Sequence, residues 1–211
     1  MGGSRVLFVA GVLALGSCAL TTTMDLSENP RLYRPTGYSV AVPADLSVFL
    51  APVVDARRSR VEEATKGHTV QYFSDERWHR QPAKMVDAVL RDELADSGVF
   101  ESVQPTARAD SCVMQVRLLQ FDVGAETHVT GWRSFATVGL AVNVLGPVDA
   151  SGARPELLSQ TFEDEHHSEV DWRPPQAAPL MGLSLRQAVQ HMLAKLDQSN
   201  VGRANVPPPG Q

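Results

Sequence analysis

The most regular pattern in the 211-residue chain lies between residues 111 and 147. In SCVMQVRLLQFDV, Cys112, Met114, Val116 and Leu118 take one side of an extended chain, and Gln115 and Arg117 take the other. In RSFATVGLAVNVLGP, Ala136, Val138, Leu140, Val142 and Val144 alternate with Phe135, Thr137, Gly139, Ala141 and Asn143. A period of two sends successive side chains to opposite faces, so both stretches predict strands with one strongly apolar side. The polar segment between them, GAETHVTGWRS, predicts a hairpin connection or an exposed loop. After the DASGARP turn, ELLSQTFEDEHHSEV predicts a third strand, which makes the three an antiparallel meander.

Two other stretches have the helical period. From Pro82 to Ser97, Val86, Val89, Leu90 and Leu94 form one apolar stripe. Proline is tolerated in the first turn and Gly98 can take the left-handed cap, which fixes both ends. Phe100 is expected to pack back onto that end. A second helix is predicted over Leu185 to Asp197, with Leu185, Val189, Met192, Leu193 and Leu196 on its apolar face. Ser184 and Gln187 have the spacing of a capping box, with Leu183 and Ala188 as a staple.

Earlier in the chain, Val48, Leu50 and Val53 suggest a buried strand interrupted by Pro43 and Pro52, and HTVQYF from His68 to Phe73 suggests another. Arg57, Arg58 and Arg60 beside Glu62 and Glu63 read as a solvated loop. The residues after Asn200, with PPPG at 207 to 210, read as a tail. Two amphipathic helices and at least four strands predict an α+β domain, with a mixed or largely antiparallel sheet packed by two principal helices.

The N-terminus changes this picture. Arg5 precedes a short apolar run from Val6 to Leu15, too short to cross a hydrocarbon layer of about 20 residues' helical length. The run ends in LGSC, Leu15 to Cys18, which resembles the bacterial lipobox, whose cysteine is acylated after cleavage just before it. Residues 1–17 are then a lipoprotein signal peptide and Cys18 is the lipidation site. Residues 18–37 form an anchor and flexible tether able to span roughly 60 Å when extended. The domain occupies 38–198 and the C-terminal tail 199–211. Ala19 stands where an aspartate would favour inner-membrane retention, so the expected location is the periplasmic face of the outer membrane. Cys112 is left without an intrachain partner and is expected to be a buried, inert thiol.

Composition excludes some classes. A formal charge of -5 disfavours a nucleic-acid backbone as partner, because phosphate neutralisation needs a basic surface. The chain has no GxxxxGK[ST] phosphate loop, so any ATP hydrolysis belongs to another protein.

YFSDERW, Tyr72 to Trp78, followed by the Pro82 helix and DSGVFESV, resembles the ABC-type transport auxiliary lipoproteins, the PqiC-like family. Tyr72, Phe73, Arg77, Trp78, Ser97, Gly98 and Phe100 carry the resemblance, which covers roughly residues 38 to 198. It implies an accessory lipoprotein of an envelope ABC system whose permease works with an MCE-domain protein, and whose cargo is phospholipid or another hydrophobic envelope molecule. Lipid-anchored membrane association follows, without a cofactor.

Tyr72, Trp78 and Trp132 are the candidate partner or lipid contacts. Trp78 has a competing and favoured role in packing the strand-to-helix junction, while Trp132, between Gly131 and Arg133, reads as loop-like. The densest apparent chemistry is Glu163, Asp164, Glu165, His166 and His167. Adjacent histidines on an extended segment point to opposite faces, however, and do not make a tetrahedral metal site. Asp55 and Asp171 have no nucleophile beside them in the sequence. No catalytic or metal site is assigned. A peptidoglycan-synthase activator or envelope assembly scaffold is the alternative, with a metal-dependent envelope enzyme disfavoured.

Overall fold

The computed structural model describes residues 24–42, 44–58, 64–65, 68–72, 74–75, 78–170 and 178–204. Cys18, Phe73, Glu76, Arg77, Asp171, the Arg60 to Glu63 loop and the PPPG tail lie outside the described residues. In chain order the elements are β1 (Val48–Leu50), β2 (Val54–Asp55), β3 (Ala64–Thr65), β4 (His68–Tyr72), α1 (Pro82–Ser97), β5 (Val103–Gln104), β6 (Cys112–His128), β7 (Gly131–Leu145), β8 (Glu156–His167) and α2 (Ala178–Gln198).

β6 organises the sheet. One of its edges pairs antiparallel with β7 along its whole length, and β7 pairs with β8 in the same sense. This is the meander that the alternation predicts. The other edge of β6 is covered in series: β1 and β2 run parallel to it, and β4 runs antiparallel near its far end. β5 extends the sheet beyond β1, and β3 extends it beyond β4. The sheet is therefore mixed, and the architecture is α+β.

The apolar alternation changes phase inside β6. Met114, Val116 and Leu118 are buried, and so are Phe121, Val123 and Ala125. A register shift between Leu118 and Gln120 explains the change, since one extra residue moves the buried set from even to odd positions. The β7 partners Val144, Val142, Leu140, Val138 and Ala136 are buried opposite them. α1 and α2 close this face. Val86, Val89, Leu90 and Leu94 of α1, and Leu185, Val189, Met192, Leu193 and Leu196 of α2, join the same core.

α1 begins at Pro82 and ends at Gly98, whose φ of 70° is in the left-handed region. Phe100 packs into the core just beyond it. On the polar side of α1, Arg91 pairs with Asp87 at 2.8 Å and donates to the Leu50 carbonyl at 3.0 Å, and Asp87 accepts from the Val53 amide. These bonds fix the β1–β2 segment over the helix.

Four expectations are corrected in whole or in part. The residues after Asn200, expected as a tail, begin packed on the domain: Val201 is in the core, and the Asp45 and Leu46 amides donate to the Gly202 carbonyl. α2 starts seven residues before Leu185, at Ala178, so Ser184 is not a cap. It is a buried mid-helix residue whose Oγ donates to the Ala136 carbonyl at 2.9 Å, and Leu183, assigned to the staple, is exposed. Pro179 and Gly182 argue against a helix in sequence. Proline, though, is harmless in a first turn, and a Cβ at Gly182 would overlap the Leu32 carbonyl oxygen, so the glycine is required by a close approach.

The GAETHVTGWRS segment is a hairpin connection, the first of the two expected forms, but nearly all of it is strand and not exposed loop. Pairing continues to His128 opposite Gly131, which leaves Val129 and Thr130 as the turn. Gly124, which looks like a strand breaker, lies opposite Phe135, whose ring occupies the space a Cβ would need.

Met24 to Gly37, expected as tether, is docked across the helices. Leu26 and Tyr33 are in the core, and Met24 forms a parallel bridge with Trp78. Glu93 of α1 is buried and binds this strap three times: it accepts from the Tyr33 hydroxyl at 2.7 Å, the Thr36 amide at 2.8 Å and the Thr36 hydroxyl at 2.5 Å. A buried carboxylate is tolerated only when donors replace its water, and here the strap supplies them. Burial first, and then Glu93, hold the Tyr33 phenol well above its ordinary range.

Two outcomes follow for chemical denaturation. Leu90→Ala deletes a fully buried side chain and should lose about 2–5 kcal/mol. Tyr33→Phe removes a hydrogen bond to a charged acceptor and should lose about 1.5–3 kcal/mol. Since the folded phenol holds its proton more tightly than the unfolded one, native stability should fall as pH rises above the ordinary tyrosine value of 10.0. That alkaline loss should be shallower in Tyr33→Phe.

Candidate functional site

With both helices on one face, the other face of the sheet stays open. A groove of about 610 Å³ crosses it, walled by Ala51, Pro52 and Val54 from the β1–β2 segment and floored by Gln115, Arg117, Asn143, Ser159 and Thr161. Its floor consists of the positions that alternate with the core residues. Gln115, Arg117, Ser159 and Thr161 are exposed, and the Asn143 side-chain oxygen is enclosed without a hydrogen-bond partner. The groove therefore offers one guanidinium, amides and hydroxyls for recognition, without a nucleophile–base pair. Sequence reasoning missed it because the wall lies more than 60 positions before the nearest floor residue and more than 100 before Ser159 and Thr161.

At the rim of this face, Arg57 joins Asp55 to Asp75, with its Nη2 2.8 Å from one carboxylate and 2.7 Å from the other. The bonds to Asp55 first, and those to Asp75, raise the already high pKa of Arg57, and the same guanidinium lowers that of Asp55. Arg57, read as part of a solvated loop, is instead a clasp between β2 and the segment leading to α1. Asp55 is accordingly occupied as a structural anion and not poised as an acid or base.

The EDEHH residues separate as the two-residue period requires. His166 lies on the helical side with its Nδ1 2.7 Å from Asp164 Oδ1 and 3.3 Å from Ser184 Oγ. His167 lies on the open side near Glu165 and the Phe135 ring. Burial raises the pKa of Asp164, with His166 opposing that shift. Ser184, His166 and Asp164 resemble a hydrolytic triad in composition alone. A relay needs serine and carboxylate on different ring nitrogens, whereas both approach Nδ1 here and the serine proton is given to Ala136. Among the described residues, no group of three His, Cys, Asp or Glu side chains is placed to hold a metal ion.

The predicted contact residues are not brought together. Trp78 is 8% exposed, and its ring meets Phe121 edge-on with centroids 5.3 Å apart, so it packs the junction ahead of α1. Tyr72 is half-buried on β4 and meets Phe135 edge-on at 5.6 Å. Trp132 stands half-buried on β7 opposite Thr127, close to the hairpin turn. Cys112 is buried beneath the Val201 carbonyl, and burial pushes its thiol up to about 11. In the folded protein Cys112 should resist iodoacetamide at pH 8 and become alkylated once denaturant is added. Mass spectrometry of the two samples checks this.

No helix among the described residues is long and apolar enough to cross a membrane. No family model matches the chain, and no curated protein matches it significantly in sequence. Solved structures resemble it in fold. The crystal structure of XCC0632 from Xanthomonas campestris, a DUF330 protein, is 16% identical with a TM-score of 0.54, over 79% of this chain and 92% of that one. The hypothetical protein CT253 from Chlamydia trachomatis is a looser neighbour, 9% identical with a TM-score of 0.46, over 74% of this chain and 98% of that one. At this identity the likeness to XCC0632 is one of fold alone: its chain and this one share a similar overall architecture.

Proposed function

We propose that the mature chain is an outer-membrane lipoprotein, anchored through Cys18, that serves as a noncatalytic accessory component of an MCE-type ABC system moving phospholipid or another hydrophobic envelope molecule. The observation that carries this reading is the occurrence, in one chain, of a lipobox and of the family-like frame around α1. Tyr72 and Trp78 lead into that helix, and Ser97, Gly98 and Phe100 end it. The described members of the frame have physical roles that suit a shared architecture, since Trp78 packs on Phe121 and Gly98 takes the left-handed cap. In this reading the family resemblance is one of scaffold, and the contacts with partners lie on surfaces peculiar to the chain. A lipid anchor favours such contacts by confining the domain to the membrane region, which raises its effective concentration near membrane-bound partners.

The test is affinity purification of the natively anchored protein from crosslinked envelopes, with reciprocal capture from the MCE or permease side. Cys18→Ser should abolish acyl incorporation and move the protein out of the membrane fraction. The wild type should recover an MCE-domain or permease protein. Recovery and stimulation of a peptidoglycan synthase, with no MCE or permease protein captured, would overturn the transport reading in favour of synthase activation.

A further inference from the structure

The position of the strap limits how far an anchored domain can stand from its membrane. Met24 is tied to the body twice, through its bridge to Trp78 and through its carbonyl, which accepts from the His79 amide at 2.9 Å. Arg80 adds ion pairs to Asp25, at 3.1 Å, and to Glu28. Six residue steps separate Cys18 from Met24, and a fully extended chain of that length spans only about 21 Å. The strap thus removes most of the reach that a free segment from 18 to 37 would have.

The β6–β7 hairpin projects past the point where the strap begins. Trp78 holds Met24 level with Phe121, because its ring packs on that residue. From Phe121, β6 continues to His128 and the turn at Val129, about 26 Å further along at 3.3 Å per residue. The opposite end of the molecule lies the other way. The strap runs from Trp78, ahead of α1, to Val40, whose amide bonds the Ser97 carbonyl at the end of that helix, about 24 Å away along its 16 residues. The hairpin end is therefore the one that the anchor can bring to the bilayer, and its overhang is comparable to the anchor's slack.

The tip has the composition for such a surface. Val129 is 95% exposed, the most exposed large apolar side chain among the described residues, and Trp132, three residues later, is half-buried with part of its ring at the surface. A two-residue hairpin turn commonly uses Asn-Gly or Asp-Gly at positive φ. Here it is Val-Thr, neither residue has positive φ, and Gly131 at φ 142° takes up the irregularity. Tryptophan favours the membrane–water boundary, where its ring is shielded and its N–H stays hydrated. Glu126 and Arg133 face each other in the register just behind the tip, so the nearest flanking charges are of opposite sign.

We infer that in the lipid-anchored protein the tip of the β6–β7 hairpin, with Val129 and Trp132, rests in the headgroup layer of the bilayer that holds Cys18, and so sets the orientation of the domain. This inference rests on the proposed acylation of Cys18. Acylated full-length protein is reconstituted in vesicles of phosphatidylethanolamine and phosphatidylglycerol carrying a fraction of spin-labelled lipid. A fluorophore is placed at Val129→Cys in one sample and at Val148→Cys, in the β7–β8 connection, in another. Buried Cys112 and acylated Cys18 leave the introduced thiol as the reactive one.

Emission at position 129 should shift to the blue and be quenched several-fold more strongly than at position 148. With Val129→Cys, Trp132→Ala and the same label, the quenching should weaken while the protein stays in the vesicle fraction. Water-like emission at 129 without lipid quenching, in a sample whose Cys18 acylation is verified by mass spectrometry, overturns this inference and leaves the proposed function standing. A blue shift without lipid quenching means burial against protein, and also overturns it. Absence of acyl groups on Cys18 in the natively expressed protein removes both readings.

Discussion

The structure depends on keeping the 17-residue strand β6 hydrogen-bonded along both edges. A buried backbone leaves no room for orphaned N–H and C=O groups, so a strand of this length in the middle of a sheet must find partners throughout. β7 satisfies one edge by itself because a two-residue turn lets it fold straight back. The other edge is satisfied piecemeal, and this requires the chain before α1 to deliver β1, β2 and β4 in turn to successive stretches of the same strand. The Arg91 bonds to the β1–β2 segment and the Arg57 clasp between Asp55 and Asp75 hold those short pieces where their own few ladder bonds would not.

The second constraint is the one-sided placement of the helices. Both lie on the face defined by Met114, Leu140 and their neighbours, which leaves the alternate positions open and creates the polar groove. The strap then crosses the helices on their outer side, where it covers Glu93 and supplies the donors that replace its water. Helix and strap are interdependent in this respect. Tyr33 and Thr36 compensate the desolvation of Glu93, and Glu93 in turn fixes the segment through which any N-terminal anchor must act.

The division between frame and surface bears on function. Residues that carry the family resemblance, such as Trp78, Gly98 and Phe100, are committed to packing or backbone geometry. Among the described residues, exposed positions lie elsewhere, as on the groove floor and at the hairpin tip. A scaffold of this kind can be retained while its contact surfaces diverge, which agrees with a fold likeness to XCC0632 at only 16% identity.

Much of the core was legible in the chain itself. The alternation from Met114 to Leu118 and from Ala136 to Val144, the stripe from Val86 to Leu94 and the Pro82 and Gly98 boundaries state their elements through local periodicity and backbone preference, which need no knowledge of distant residues. The opposed directions of His166 and His167 were legible for the same reason, and the inward role of Trp78 from its place just ahead of the first helix. Tertiary structure alone decided the rest. Gly182 and Pro179 read as helix breakers until Leu32 is seen pressing on the glycine, and Ser184 reads as a cap until Ala136 is seen to take its proton. The segment after Gly37 reads as the start of the domain because Tyr33 and Thr36 reveal their partner Glu93 only across nearly 60 residues of chain. The GAETH and GWRS strands lack an alternating apolar pattern because their buried positions, such as Ala125 and Ser134, are small or polar, and cross-strand pairing carries the rest towards the hairpin tip. Periodicity reports which residues meet a core; it is silent about contacts made by backbone, by single polar atoms and by strands that leave the core behind.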